Sequence, residues 1–242
     1  GVYKWLAPTT ATGPFANSRV GPLYLYTQHT DSVQTLAWSP DGRNIASGSL
    51  DSTVTIWDIA RNATAMTYQA VAGIQALAYS ADGLSIASGD NAGLIDIWRV
   101  ADGVKTLTTS EAQSSVKSLA YAPDGQRVAS AYTDGSVQIW DANTSVVQVN
   151  IGMRDASINA VVWSPDGQKI AYTDDYGRVE VYDSGGSVIA GALTNRQQNA
   201  LVWSPDGQFI ASGGVDNMVH IWSADGTQQI TNYSGHTDTI NA

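Results

Sequence analysis

A pattern of about forty residues recurs along this chain, and it constrains the fold more than any other feature of the sequence. The clearest copy, residues 33–58, reads VQTLAWSPDGRNIASGSLDSTVTIWD. An Asp-Gly pair and a closing aromatic residue each recur every 40 to 42 residues, the pairs at Asp41, Asp82, Asp124, Asp166 and Asp206 and the aromatics at Trp57, Trp98, Trp140, Tyr182 and Trp222. This fixed period indicates that one structural unit is used five times.

Each copy of the pattern reads as a series of short β-strands. In the first copy, Leu36 and Trp38 alternate with small residues before a Ser-Pro-Asp-Gly turn, in which proline fixes φ and glycine accepts a positive φ. A short run at residues 45–47 then leads to a polar turn around Asp51, and an alternating run ends at Trp57. A weaker apolar run before the next copy supplies a fourth strand. Because a single sheet of this size cannot bury both faces, neighbouring sheets are expected to stack around an axis.

These units resemble the WD-repeat family of β-propellers. The resemblance rests on the SPDG turns, the IASGS run, the aspartate before TVTIW, the Trp-Asp pair that ends at Asp58, and the GHTD at residues 235–238. Five complete repeats cover residues 29–233. The resemblance implies an all-β propeller of four-stranded antiparallel blades, with six or seven blades in the closed ring. Tandem β-hairpins in a sandwich are the alternative, but they would not require a fixed period.

The two ends of the chain carry parts of a further blade. Residues 2–5 align with the third strand of a repeat and residues 23–27 with the fourth, and the proline- and glycine-rich loop between them is either a contact loop or a surface insertion. Residues 228–233 supply another fourth strand, and the GHTDTINA after them begins a first strand. We therefore expect residues 1–242 to form one propeller domain that is a segment of a longer protein. Its open strand edges are expected to be covered by missing chain, by self-association with a second copy or by an expression partner.

The composition argues against several classes of partner. A net charge of −10 disfavours nucleic acid and anionic membranes as main partners, because both carry negative charge. The absence of cysteine excludes disulfides and thiolate metal sites. No apolar run reaches membrane-spanning length and no secretory signal is visible, so we expect a cytoplasmic protein without membrane partners.

In the WD-repeat family, a buried hydrogen-bond network joins a histidine, a serine or threonine, an aspartate and a tryptophan. Carried over to this sequence, the complete set occurs only in the first repeat, at His29, Ser47, Asp51 and Trp57. We interpret these four residues as structural. The three histidines of the chain show no spacing typical of a catalytic or metal site, so the sequence predicts no enzyme, no metal site and no cofactor.

One face of a propeller carries the turns between second and third strands together with the loops that enter each first strand. On this face the residues differ between repeats, whereas the SPDG turns on the opposite face stay nearly uniform, which leaves room for recognition. Two tyrosines beside two carboxylates are typical of a site that grips lysine or arginine. The predicted partner-binding residues are Leu50, Asn91, Tyr132, Arg154, Asp174, Asp175 and Tyr176.

The sequence therefore predicts a non-enzymatic scaffold that binds a protein or peptide partner of basic character through this variable face. The regularity of the repeats resembles that of bacterial WD-repeat proteins, which are often joined to signalling domains such as protein kinases. The alternative is a propeller hydrolase or a calcium-dependent enzyme in which Asp174 and Asp175 would line an acidic central pocket.

Overall fold

The computed structural model describes residues 2–4, 24–109, 114–151, 155–225 and 228–241. Within these ranges the chain forms 22 β-strands and no helix, so no helix capable of crossing a membrane occurs there. The strands build five four-stranded antiparallel sheets and one two-stranded sheet. We call each four-stranded sheet a blade and number the blades in chain order.

The blades use their strands in chain order, and each strand pairs with the next one along the chain. Blade 1 contains β3 (Val33–Trp38), β4 (Asn44–Ser49), β5 (Thr53–Asp58) and β6 (Ala63–Gln69), and blade 2 contains β7 (Ile74–Tyr79), β8 (Ser85–Asp90), β9 (Ile95–Arg99) and β10 (Lys105–Thr108). Blade 3 contains β11 (Val116–Tyr121), β12 (Arg127–Tyr132), β13 (Val137–Asp141) and β14 (Val147–Ile151). Blade 4 contains β15 (Ile158–Trp163), β16 (Lys169–Asp174), β17 (Arg178–Asp183) and β18 (Val188–Leu193), and blade 5 contains β19 (Gln198–Trp203), β20 (Phe209–Gly214), β21 (Val219–Ser223) and β22 (Gln229–Tyr233).

The first strands of successive blades lie next to one another. Strand β3 contacts β7, β7 contacts β11, β11 contacts β15 and β15 contacts β19, so the blades stand side by side with their first strands innermost. The all-β fold of four-stranded antiparallel blades is therefore confirmed, and five blades are complete. Closure of the ring and the final number of blades stay predictions.

Backbone hydrogen bonds define two opposite faces in every blade. In blade 1 the amide of Leu50, after the second strand, donates to the carbonyl of Ser32, before the first strand, over 3.0 Å. At the other end the amide of Ile59 donates to the carbonyl of Arg43, also over 3.0 Å. We call the first kind of edge, with the turns after second strands and the loops before first strands, the loop-rich face. The opposite edge, with the turns between first and second strands, is the turn face.

Each blade buries one side of its sheet against the next blade. Between blades 1 and 2, Ile56 and Trp98 are almost fully buried in one apolar cluster, and the ring of Tyr68 stacks on that of Trp98 with centroids 4.9 Å apart. The contact is close enough to require glycine, since a Cβ at Gly48 would lie 2.4 Å from Cγ2 of Ile74. Packing between blades, rather than within one sheet, therefore supplies the core.

The two-stranded sheet pairs β1 (Val2–Lys4) with β2 (Tyr24–Tyr26), antiparallel. Tyr26 of β2 stacks on Trp57 of blade 1, with centroids 6.0 Å apart and planes at 25°, which is the arrangement of the tyrosine and tryptophan between blades 1 and 2. Strand β2 thus takes the fourth-strand position of a blade that precedes blade 1. The predicted loop and Trp5 lie outside the described residues.

At the other end, residues 234–241 follow β22 without forming a strand. Ile240 nevertheless packs on blade 5, because a Cβ at Gly213 would lie 2.8 Å from its Cγ2. This is the position that Ile74 of blade 2 holds on Gly48 of blade 1. The segment therefore occupies the place of the first residues of a following blade.

Candidate functional site

The loop-rich face surrounds a polar channel. The second residue of each first strand lines a cavity of about 550 Å³, and these residues are Gln34, Gln75, Lys117, Asn159 and Asn199. Two of the amides link neighbouring blades: Asn159 Nδ2 donates to the Gln198 carbonyl over 3.2 Å, and Asn199 Nδ2 donates to the Ile240 carbonyl over 3.1 Å. Amide groups therefore dominate the channel wall.

Two of the predicted partner-binding residues are exposed on the loop-rich face, and one of them contacts a residue of the channel. Asp175 and Tyr176 lie on the turn between β16 and β17, and the Tyr176 side chain is 53% exposed. Asp175 accepts a hydrogen bond of 3.0 Å from Nδ2 of Asn159, which lines the channel. An aromatic ring and a carboxylate are thus available side by side on blade 4.

Arg178 contacts three residues at or near this turn. Its Nε donates to Oδ2 of Asp174 over 2.6 Å and its Nη2 donates to Asp155, while the guanidinium lies 5.5 Å from the centroid of the Tyr176 ring. The hydrogen bonds from Arg178 to Asp155 and Asp174 raise the pKa of the guanidinium despite partial burial. The exposed Tyr176 ring therefore already stacks with a cation of its own chain.

Tyr132 and Asp174, which the sequence also assigned to the partner site, are buried. Tyr132 is 3% exposed, and its hydroxyl accepts a 3.2 Å hydrogen bond from Ser130, whose Oγ in turn accepts one from the Trp140 indole. Burial raises the pKa of Tyr132 to about 12. Asp174 is completely buried, and its Oδ1 accepts hydrogen bonds from the amides of Tyr176 and Arg178. Both side chains turn inward because they satisfy polar groups of their own blades.

The remaining predicted residues lie on other blades. Leu50 of blade 1 is half-buried and contacts Gly73, and Asn91 of blade 2 is exposed, with its amide donating to the Gly73 carbonyl. Arg154 lies outside the described residues. Among the described residues, the structure therefore brings the buried Asp174 and the exposed Asp175 and Tyr176 together. It adds Asp155 and Arg178 to them.

Three of the four residues assigned to a structural network, His29, Ser47 and Asp51, are joined by hydrogen bonds in blade 1, and the fourth, Trp57, is buried there. His29 Nδ1 lies 3.0 Å from Oδ2 of Asp51, and Nε2 lies 2.7 Å from Oγ of Ser47. Burial alone would raise the pKa of Asp51, but hydrogen bonds from Thr53, Thr30 and His29 outweigh it and lower the pKa to about 2. The His29 and Asp51 side chains are 4% and 8% exposed, so this set lacks the access that a substrate needs.

Blades 4 and 5 contain different buried polar contacts that sequence comparison did not reveal. In blade 5, His220 Nε2 lies 2.7 Å from Oδ2 of Asp216, so a histidine on the third strand replaces the missing one before the first strand. In blade 4, the hydroxyls of Tyr172 and Tyr182 both donate to Glu180. The sequence does contain a polar residue in the middle of these third strands, Glu180 and His220. It was missed because this position varies between the repeats.

The acidic central pocket of the alternative hypothesis does not form around Asp174 and Asp175. Asp174 is bound to Arg178, whereas Asp175 accepts from Asn159. Over the described ranges, no three histidine, aspartate or glutamate side chains are grouped in a way that could hold a metal ion. These two carboxylates therefore serve different partners.

Two protein families match parts of the chain. The family described as "WD domain, G-beta repeat" matches residues 21–58 and 103–141, which contain blade 1 up to its third strand and most of blade 3. The family described as "Eukaryotic translation initiation factor eIF2A" matches residues 137–241. The first match supports the WD-repeat resemblance of the SPDG and Trp-Asp motifs.

Two curated relatives come from two strains of the fungus Cryptococcus neoformans var. neoformans serotype D. Both are named "Probable cytosolic iron-sulfur protein assembly protein 1", and each is 36% identical over 62 residues. The match covers 24% of this chain and 14% of the relative. The similarity is therefore confined to a stretch no longer than two repeats.

Proposed function

We propose that this chain, with its five blades and WD-repeat matches, is a non-enzymatic scaffold that binds a protein or peptide partner through the loop-rich face. WD40 repeats generally serve as protein-interaction scaffolds, which supports the general class. The proposal treats residues 1–242 as one propeller domain of a longer, cytoplasmic protein. A bacterial origin and a signalling context stay predictions, since the curated relatives are fungal.

One observation supports the loop-rich face most directly. Asp175 is exposed and bonded to Asn159, which lines a polar channel to which every blade contributes a residue, and Tyr176 is exposed next to Asp175. An exposed tyrosine offers contact area at a low cost in conformational entropy, and such residues are enriched where proteins bind one another. The channel beside them has room for a partner's side chain.

The exposed carboxylates of this face favour a partner with lysine or arginine side chains. Asp31 and Asp175 are exposed, and the Asp155 side chain is 73% exposed although it already pairs with Arg178. A basic side chain of the partner would join or replace Arg178 beside Asp155 and stack on Tyr176. Each such contact is worth about 0.5–1 kcal/mol at a partly exposed site, so affinity requires several of them.

Partner capture from a lysate of the source organism tests the proposal. The double variant Asp175→Asn, Tyr176→Ala should weaken binding of the captured partner by about five- to thirtyfold, the equivalent of about 1–2 kcal/mol. Higher salt should weaken binding to the parent protein further, because the charges are exposed. A matched control is Tyr233→Ala, which removes a tyrosine that is 60% exposed on the outer strand of blade 5.

Equal capture by the parent and the double variant would contradict the proposal, provided that both melt at the same temperature. Loss of capture in the Tyr233→Ala control alone would place the interaction on the outer strands instead. The iron–sulfur role in the relatives' name is not carried over to this chain, because the match covers only 14% of each relative.

A further inference from the structure

A cavity lined by aromatic residues lies on the turn face, opposite the loop-rich face. In blades 2 to 5 the first strand ends in an aromatic residue on this face. These four residues and two turn prolines line a cavity of about 360 Å³: Tyr79, Tyr121, Trp163, Trp203, Pro123 and Pro165. We call it the aromatic cavity. Its lining is apolar apart from the tips of the tyrosines and tryptophans and one serine.

Two residues that line this cavity carry a buried hydrogen-bond donor without an acceptor among the described residues. The indole Nε1 of Trp163 donates to the carbonyl of Ala120 over 3.1 Å, as a buried indole normally does. The equivalent Nε1 of Trp203 has no partner among the described residues, although Trp203 is only 7% exposed. The hydroxyl of Tyr79 is likewise buried and unpaired within the described part of the chain. A buried donor without an acceptor destabilises the unliganded protein, so a ligand that supplies acceptors here would bind more tightly.

The rim of the cavity carries negative charge. Asp82, Asp124 and Asp166 directly follow residues that line the cavity, and all three are exposed. Arg127 pairs with Asp124 over 2.7 Å, and its guanidinium lies 4.6 Å from the centroid of the Trp163 ring. Asp82 and Asp166 form no ion pair within the described ranges, so they carry the uncompensated charge of the rim. Hydrogen bonds from the Ser80 hydroxyl and the Leu84 amide hold the pKa of Asp82 below its usual value. The rim therefore suits a partner with positive charge.

We propose that the aromatic cavity binds an extended, proline-containing peptide segment with a lysine or arginine beside the prolines. This site lies on the opposite face from the proposed partner surface, so it would be a second docking site of the scaffold. The proline rings would pack among Tyr121, Trp163 and Trp203, and the basic residue would lie beside Asp82 or Asp166.

Proline fits this cavity better than other apolar residues for a reason of hydrogen bonding. The unpaired groups of the lining are the donors of Trp203 and Tyr79, and proline residues bring carbonyl acceptors without an N–H of their own. An extended polyproline segment also has no internal hydrogen bonds, so its carbonyls are free to accept. Both donor atoms are shielded from solvent in the unliganded protein. Binding of the segment as proposed therefore requires the side chains of both Trp203 and Tyr79 to turn towards the cavity.

Titration with three synthetic peptides tests the proposal on the 242-residue chain. The first has six prolines flanked by two arginines, the second has six alanines between the arginines, and the third has six prolines between two glutamates. Calorimetry should show the first peptide binding at least about tenfold more tightly than either of the others. Tryptophan fluorescence should change with the same affinity. Equal binding of the alanine peptide, or no binding of the first peptide, would overturn the proposal.

Variants at the two unpaired donors provide the sharper test. Trp203→Phe and Tyr79→Phe remove a donor but keep an aromatic ring, and each should weaken binding of the arginine–proline peptide by about fivefold. The matched control is Trp163→Phe, whose lost indole donor serves Ala120 rather than the cavity, so its affinity should change by less than about twofold. Equal losses in all three variants at unchanged melting temperature would mean that the donors do not select the ligand.

The same titration separates this proposal from that for the loop-rich face. The Asp175→Asn, Tyr176→Ala variant should bind the arginine–proline peptide as the parent does, because both residues lie on the opposite face. If that variant loses the peptide, the peptide binds on the loop-rich face and the aromatic cavity is not its site. Partner capture by the double variant tests only the loop-rich face, and the peptide titration tests only the aromatic cavity, so either proposal can fail without the other.

Discussion

The imidazole Nδ1 of His29 lies 3.0 Å from a carboxylate oxygen of Asp51, and this pair fastens the loop before the first strand of blade 1 to the turn after its second strand. Asp51 also accepts hydrogen bonds from the amide of Thr30 and from the amide and hydroxyl of Thr53. One buried carboxylate therefore holds two segments of the loop-rich face together. Its removal would leave several donors without an acceptor.

Asp51→Ala should lower the free energy of unfolding by about 1–3 kcal/mol, because it leaves buried donors unpaired. Asp82→Ala, in an exposed turn on the other face, should cost clearly less, since water can replace its hydrogen bonds. Chemical denaturation of both variants would measure the difference. Equal losses would mean that the His29 network contributes no more than an ordinary turn.

Asp51 also predicts a pH dependence. Because its folded pKa of about 2 lies below the ordinary value of 3.8, its contribution is complete above pH 4 and is lost as the pH falls towards 2. The variant Asp51→Asn cannot lose this contribution by protonation. The free energy of unfolding should therefore fall less steeply between pH 4 and pH 2 in the variant than in the parent. Parallel curves would contradict the lowered pKa.

Leu36 and Leu77 hold the same position in successive repeats but differ in burial. Leu77 is 7% exposed because blade 1 covers it. Leu36 is 54% exposed on the open side of blade 1, which faces away from blade 2. Leu77→Ala should cost about 2–5 kcal/mol and Leu36→Ala less than about 1 kcal/mol. Similar costs for the two, together with a larger mass by light scattering, would show that a second copy covers the open side of blade 1.

Calcium should not raise the melting temperature of the protein. Asp174 pairs with Arg178 over 2.6 Å, so binding a cation there would require the loss of this ion pair. A thermal shift assay with millimolar calcium, with magnesium as the control, measures the effect. A rise of several degrees with calcium alone would revive the calcium-dependent alternative.

The strands and their blades could be predicted from the sequence because each repeat carries its own turn residues and alternation. The period fixed which segments correspond, and even β1 and β2 at the start of the chain could be placed by comparison with blade 1. Such features depend on local sequence, and the same local pattern occurs five times.

The direction of individual side chains on the loop-rich face could not be predicted. Asp90 and Asp174 end their second strands, yet they cap the following turns from two positions earlier than Asp51 does. In blade 3, the Tyr132 hydroxyl accepts a hydrogen bond from Ser130. Ser130 is equivalent to Ser47 of blade 1, which His29 contacts. Compensation of this kind depends on which polar group a blade lacks, and an alignment of repeats shows only the missing residue.

The aromatic cavity was missed for a different reason. Its aromatics end regular strands and its prolines belong to the uniform SPDG turns, so the sequence favoured a purely structural role for both. Whether aromatics from four blades meet, and whether each donor finds an acceptor, depends on the relative placement of the blades. Among the described residues, the buried donors of Trp203 and Tyr79 lack acceptors there, and nothing in their local sequence distinguishes them from Trp163.

Hydroxyl-radical footprinting of the protein alone and with its captured partner tests the central claim most directly. The Tyr176 side chain is 53% exposed in the free protein and should become strongly protected in the complex, together with neighbouring residues of the loop-rich face. Tyr233, which is 60% exposed on the outer strand of blade 5, should keep its reactivity. Unchanged reactivity of Tyr176, with protection confined to Tyr233 or to the turn face, would contradict partner binding through the loop-rich face.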